Sequence, residues 1–495
     1  MLGRNIKLNW YKHLLLVIVF FVSFSFRLIN LGYSEFQDDE KKALIRLKAN
    51  QNVIEFFMDQ RKGPMQFFVT SIPLLLNGWD TTDELNIRLP FSVIGSLAVV
   101  FLYLLLIRVT GNTTVSFLVA LFFTVNGFFI GFGRIAQYQN LNLFFSFLSL
   151  LLFSISRDKG RNLIFWSNLG SVAWSLSLLS HWDAVFFLVP IFYYVALILT
   201  SSNHSKRQKI IFVVSNLLTI ILLLLPFLIP YFFSQVSNDS NMEYLSRRVG
   251  ISTYGYQNHL SIFRLYNPHI ALYLYGALAL LSIFNLRKSW VYVLWFLVNF
   301  FSILLFMSKP GTHIYNYVIP IFFLIALGLS PIRNKLLLFI ASLIILFIIC
   351  ILGYQSYRLF LHNSPEYPWN DKYIFGDLTA KKYEGKEVLT FGFPHFRNLK
   401  YINELIRSDS PECRYYISNE GKEITEIYMS GVKYKSVENK TCYYIVKVRK
   451  GFIFNRDSSR YPEEIGRSPI YSYYKDGERL VDVFKVDRRG SSEKQ

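Results

Sequence analysis

Three consecutive acids, Asp38-Asp39-Glu40, lie just beyond an apolar stretch that opens near Leu14 and closes on Arg27. A carboxylate can take the proton of an attacking hydroxyl, and a nearby cation can hold a departing anion. Cations follow at intervals: Arg61 and Lys62, Arg88, Arg134, and then Arg247, Arg248 and Arg264. His181, Asp183, His313 and Tyr315 complete the polar residues at the ends of long apolar runs. Acids beside several Arg and Lys residues at a membrane edge fit a site that handles a phosphate and needs a base. The local alternative is a helix start, because acids favour the amino end of a helix such as one over 41–57.

The elements that position these residues must cross a bilayer. Of 495 residues, 52% are hydrophobic and only 17% charged, too greasy for an ordinary soluble enzyme. The net charge of +19 sits largely in short loops between apolar runs, where basic residues set membrane orientation rather than bind nucleic acid. After a first span over 14–26, the apolar periodicity predicts ten more: 88–107, 114–132, 139–156, 163–180, 184–200, 210–233, 269–286, 289–307, 314–330 and 335–354. The stretch 66–76 is shorter than the ~20 residues a crossing needs, so it reads as an interfacial helix within a first extracytoplasmic loop over 32–87. With that choice Arg108, Arg157, Lys206, Arg287 and Lys335 all fall in cytoplasmic turns, as the positive-inside rule requires.

The expected fold is therefore mainly α, a polytopic membrane domain over 1–356 with eleven transmembrane helices, followed by a small extracytoplasmic α/β domain over 357–495. Within that tail, 387–391, 414–417, 443–448 and 480–486 read as strands and 396–406 as an amphipathic helix. The three cysteines show no metal spacing. Cys350 reads as a core filler, whereas Cys413 and Cys442 could pair in an oxidising compartment.

The ordered series Arg27-Leu-Ile-Asn-Leu-Gly32, Asp39-Glu40, Lys62-Gly-Pro64, Arg88-Leu-Pro90 and Arg134-Ile-Ala136 resembles the GT-C superfamily. Within it, the series is similar to the protein O-mannosyltransferase and lipid A aminoarabinose transferase group. His313-Ile-Tyr-Asn-Tyr-Val-Ile-Pro320 resembles that group's Arg/His-x-Tyr-x-x-x-Pro region, and the similarity covers about residues 10–330. The resemblance implies Asp39 as catalytic carboxylate with Glu40 as its companion, and Lys62 and Arg134 as contacts for the donor phosphate. Two positions depart from the pattern: Gly63 stands where the group often has Pro, and Gln139 where it usually has an acid.

The function expected is an inverting transferase that moves a sugar from a polyprenyl-phosphate donor to a protein, lipid or envelope-glycan acceptor. Asp39 and Glu40 form the catalytic pair, while Lys62, Arg134, Arg247 and Arg264 bind the donor phosphate. Arg88, His181, Asp183, His313 and Tyr315 line the cavity. No cofactor is expected; a divalent ion at Asp38 and Glu40 is the alternative that the resemblance does not favour. The partners are the lipid-linked donor, the acceptor and membrane lipid, without nucleic acid. The chain is placed in the plasma membrane with its amino terminus cytoplasmic. The rival class is a flippase for lipid-linked glycans, which would need charged groups along the span centres, where this sequence has almost none.

Overall fold

The computed structural model describes residues 10–45, 47, 50–58, 63–76, 78, 83–158, 162–236, 246, 249–250, 255–308, 310–332, 334–364, 366, 392–434, 441–449 and 467–487. The side chains of Asp38, Asp39 and His269, and of residues 234–236 and 255–258, are outside that description.

The membrane part opens with α1 (Trp10–Leu28), a 3-10 turn over Asp38–Ala43, α2 (Val53–Met58) and α3 (Met65–Leu76). It continues with α4 (Glu84–Thr110), α5 (Thr113–Thr124), α6 (Gly127–Gly133), α7 (Tyr138–Asp158), α8 (Leu163–Ser180), α9 (Leu188–Thr200) and α10 (Lys206–Val236). It closes with α11 (Gly255–Tyr266), α12 (His269–Leu280), α13 (Leu286–Phe306), α14 (Tyr315–Leu329) and α15 (Lys335–Ser356). Among the described residues nine helices are long and apolar enough to cross a membrane, or ten if α5 and α6, bent by 65°, are one span. The sequence reading expected eleven.

Part of the difference is one stretch, Ile270–Phe306, that is continuous over 37 residues. Run straight, it would extend ~55 Å, far beyond the ~30 Å apolar core of a bilayer. Its register against α14 shows that it reverses. Tyr275 meets Phe322 and Leu281 packs at Gly328, so α12 runs alongside α14 in the same direction. Asn285 then bonds Leu327, Tyr292 stacks on Phe323 and Asn299 bonds Asn316, so α13 runs back the other way. The α5–α6 bend has an equally local cause. Asn126 caps α6 through Phe128 N–H, and a Cβ on Gly127 would fall 1.7 Å from the Tyr266 carbonyl oxygen.

α3 is a 12-residue helix too short to cross, as the sequence predicts. The helix expected over 41–57 does not form. Gln37 and Glu40 close a reciprocal capping box that winds 38–43 into a 3-10 turn, and the chain leaves it extended at Leu44 before α2 begins. Cys350 is exposed on the bundle rather than filling its core.

The tail holds α16 (Leu399–Arg407), β1 (Tyr415–Ser418), α17 (Lys422–Tyr428), β2 (Lys433–Tyr434), β3 (Cys442–Val448), β4 (Tyr471–Lys475) and β5 (Glu478–Asp487). The sheet order is β2-β1-β3-β5-β4, with β1 parallel to both neighbours and β5 antiparallel to β3 and β4. Cys413 and Cys442 are joined, with Cα atoms 4.7 Å apart. The strand expected over 387–391 lies outside the described residues.

Tail and bundle share a core. Phe36, Ala43 and Leu44 of the first loop pack in one apolar cluster with Ile87 and Phe91 of α4 and with Leu399, Ile402 and Ile406, the buried stripe of α16. Each such Phe, Leu or Ile side chain contributes ~1.5–3 kcal/mol by leaving water. The first loop is thus the layer on which bundle and tail both rest.

Candidate active site

The first loop is held from both sides by side chains of its own. Towards the tail, the Glu35 carboxylate accepts the Leu399 N–H at 2.6 Å and the Arg397 N–H at 2.9 Å, which caps the amino end of α16. Gln37 accepts from Gly392 N–H at 2.7 Å and donates to the Phe393 carbonyl at 2.6 Å. The Tyr428 hydroxyl accepts the Phe36 N–H at 2.6 Å. Burial pushes the Glu35 carboxyl up to about 8, against the pull of those two backbone N–H groups.

Towards the bundle, Glu40 meets Arg88 in a buried ion pair. Oε1 accepts Arg88 Nε and Oε2 accepts Arg88 Nη2, both at 2.7 Å. Glu40 also accepts the Ala136 N–H at 2.9 Å and the Gln37 N–H at 2.8 Å. Four donors occupy a carboxylate with about four acceptor sites. Glu40 is fully buried, so it has neither room nor lone pairs for a substrate proton. Expected from sequence as one of the catalytic pair, Glu40 is instead engaged in holding the loop.

Arg88 is committed in the same way. Beyond Glu40 it donates to the carbonyls of Leu31, Ser34 and Glu35. Expected to line the cavity, its guanidinium is buried and fastens the loop after α1. Arg134, expected at the donor phosphate, is likewise engaged by backbone. Its guanidinium donates to the carbonyls of Phe26, Arg27, Ile29 and Asn30, closing the carboxyl end of α1, where a cation also suits the helix dipole.

Four of the predicted residues do come together. His181, in extended conformation at the end of α8, accepts the Asp183 N–H through Nδ1 and starts a 3-10 turn over Trp182–Phe187. His313, in the turn before α14, places Nδ1 2.9 Å from both oxygens of Asp183. His181 Nδ1 is 3.0 Å from Oδ1. The Tyr315 hydroxyl donates to Oδ2 at 2.9 Å and accepts from Asn142 at 2.9 Å. Tyr138 lies flat on the His181 ring at 3.6 Å. Asp183 is buried, while the side chains of His181 and His313 keep 13% and 18% exposure, which leaves the imidazoles the open side.

The turn from Arg134 to Tyr138 connects the two groups: Arg134 on α1, Ala136 on Glu40, Tyr138 on His181. On either side of Tyr138, the amides of Gln137 and Gln139 are buried with no hydrogen-bond partner among the described residues. A neutral amide costs less there than an unpaired carboxylate would, a physical account of Gln139 where an acid is usual.

Lys62, Arg247 and the side chain of Asp39 lie outside the described residues. The backbone of residue 39 is within the 3-10 turn that Glu40 pins. Next to Lys62, Gly63 is placed tightly: a Cβ would fall 1.7 Å from the Leu179 carbonyl oxygen, two residues before His181. Any larger residue there would push this strand of the first loop off α8. Arg264 is in the last turn of α11. Sequence reasoning missed Glu35 and Gln37. Their signal was the capping-box spacing Gln37-x-x-Glu40, which marks a turn start rather than a run of reactive acids.

The family described as dolichyl-phosphate-mannose-protein mannosyltransferase matches residues 61–229. Two crystal structures of ArnT from Cupriavidus metallidurans, one bound to undecaprenyl phosphate and one in the apo state, superpose with a TM-score of 0.56 at 12% and 14% identity. The superposition covers 96% of this chain and 98% of that one. The chain has the GT-C fold. No curated protein matches it by sequence. Within the GT-C fold the family match runs from the first loop into α10, so it spans Gly63, Arg88, Arg134, His181 and Asp183.

Proposed function

We propose that the protein is an integral-membrane, inverting glycosyltransferase that uses a polyprenyl-phosphate-linked sugar on the extracytoplasmic side. The observation that carries this reading is the end-to-end correspondence of fold with ArnT, which was crystallised with undecaprenyl phosphate. The architecture supports it physically. A bundle with many lipid-facing Leu, Ile and Phe side chains can keep a polyprenyl tail in the bilayer. The polar groups at the helix ends then meet its phosphate at the surface.

In this reading Asp39 takes the acceptor hydroxyl's proton as its oxygen attacks the anomeric carbon. The bond from that carbon to the donor phosphate breaks, and the polyprenyl phosphate leaves with the electron pair. One base and one displacement invert the anomeric centre. Lys62, Arg247 and Arg264 steady the leaving phosphate. Glu40, Arg88 and Arg134 act indirectly by fixing the backbone around residue 39. His181, Asp183, His313 and Tyr315 line the polar side of the site. The acceptor is a protein, a lipid or an envelope glycan.

The amino terminus is cytoplasmic and the tail extracytoplasmic in the plasma membrane. The Cys413–Cys442 bond supports that side for the tail, since such bonds persist in oxidising compartments.

The test is release of polyprenyl phosphate from a polyprenyl-phospho-sugar donor by the purified protein. Loss of turnover in Asp39→Asn at unchanged thermal stability is the expected result. A near-normal rate in that variant would remove Asp39 as the base.

A further inference from the structure

Asp183 is a buried carboxylate whose ionisable partners, among the described residues, are two imidazoles and one phenol. Its surroundings hold three donor atoms together: one ring nitrogen each from His181 and His313 and one oxygen of Asp183, all within 4.8 Å of one another. His181 Nδ1 accepts the Asp183 N–H at 3.1 Å, yet it also lies 3.0 Å from Asp183 Oδ1. A proton on His181 Nδ1 can fill that contact, and a metal ion is the other occupant that suits both atoms.

We propose that His181, Asp183 and His313 form a binding site for one first-row divalent metal ion, with Zn2+ as the working probe. Two imidazoles and one carboxylate suit Zn2+, Co2+ or Mn2+ better than Mg2+ or Ca2+, which prefer oxygen alone. Three protein ligands leave a position for water or an anionic ligand oxygen. Ligand spacings of 2.9–3.0 Å need only a few tenths of an ångström of opening to hold an ion at ~2.0–2.1 Å from each donor. Supporting bonds hold the ligands in place, as metal sites require. Tyr315 bonds the second carboxylate oxygen, Asn142 bonds Tyr315, and Tyr138 stacks on His181.

The consequence is structural as well as chemical. The ion would tie the turn after α8 to the turn before α14, residues 130 apart in sequence. This inference does not depend on the transferase reading, and it differs from the metal position at Asp38 and Glu40 weighed from sequence. Glu40 has no lone pair left for an ion.

The experiment uses the full-length protein in detergent, stripped with a chelator and dialysed. Zn2+ binding is measured by competition with a chromophoric chelator, and Co2+ binding by its visible absorption. The expected result is one equivalent bound by the wild type, weakened about tenfold or more in His313→Gln, Asp183→Asn and Tyr315→Phe. The Co2+ spectrum should show nitrogen and oxygen ligation. Absence of a stoichiometric site in the wild type overturns the proposal and leaves a proton-linked His–Asp–His group, whatever the variants do. Unchanged affinity in both His313→Gln and Asp183→Asn places the metal elsewhere and overturns it too. Failure of sugar transfer alone would not bear on it, because neither readout requires turnover.

Discussion

Replacing Glu40 with Gln separates a chemical role from a structural one. The wild-type carboxylate accepts four hydrogen bonds, two from Arg88 and one each from the backbone N–H groups of Gln37 and Ala136. A Gln amide presents one acceptor oxygen and one NH2 group, so a donor is turned against N–H groups on one side. Arg88 also becomes a buried, unbalanced cation. Removing one partner of a buried pair costs about 3–5 kcal/mol, a large part of the ~5–15 kcal/mol that holds a folded domain together. Exchanging both partners for apolar residues does not rescue it, because the carbonyls of Leu31, Ser34 and Glu35 would then lose their Arg88 donors. The assay is thermal unfolding in detergent alongside donor turnover. Glu40→Gln should lower the melting temperature markedly and lose activity in proportion to the folded fraction. Unchanged melting with abolished turnover would refute the structural assignment and return Glu40 to the chemistry.

Other outcomes follow from neighbouring features. The Glu35 carboxyl sits up at about 8 in the folded chain against an ordinary 4.5. Its contribution to docking is therefore fully present below 4.5 and lost as pH rises through 8; hydrogen exchange at 392–399, corrected for intrinsic rate, should rise across that window and stop doing so in Glu35→Gln. Gly63→Ala drives a methyl group into the Leu179 carbonyl and should cost about 1–3 kcal/mol, read as a drop in melting temperature. Opening the Cys413–Cys442 bond, which closes a loop of 29 residues, should destabilise the tail by about 3.5 kcal/mol in the chain-entropy account. Alkylation mass shifts before and after reductant check the bond itself, and equal labelling of both thiols without reductant would rule it out.

The broad architecture was legible because its signals are local. Apolar run length marks α1, α4 and α7, and the shortness and proline of 66–76 mark α3 as a helix that does not cross. Strand alternation located β1, β3 and β5 within a residue or two. The misses have non-local causes. α16 starts at Leu399 rather than 396 because the cap that starts it, Glu35, lies in the first loop. Glu40, Arg88 and Arg134 looked like reactive charges at a membrane edge. Glu40 and Arg88 pair with each other, and the remaining partners of all three are backbone carbonyls and N–H groups, which a one-dimensional reading cannot see. The gathering of His181, Asp183, His313 and Tyr315 also depends on how the turn after α8 meets the start of α14; sequence placed each one at a helix end and said nothing of their distance.

The loop that carries Asp39 touches the tail through Gln37 and Gly392, residues 355 apart. During synthesis that loop leaves the ribosome long before Gly392 exists, and no nearer residue supplies the same bonds. The clasp around Glu35, Phe36 and Gln37 therefore closes only once the tail has been made and folded. A nascent or truncated chain keeps the bundle's hold on that loop through Glu40 and Arg88 but lacks the second, so the tail completes its fixation as a late event of assembly.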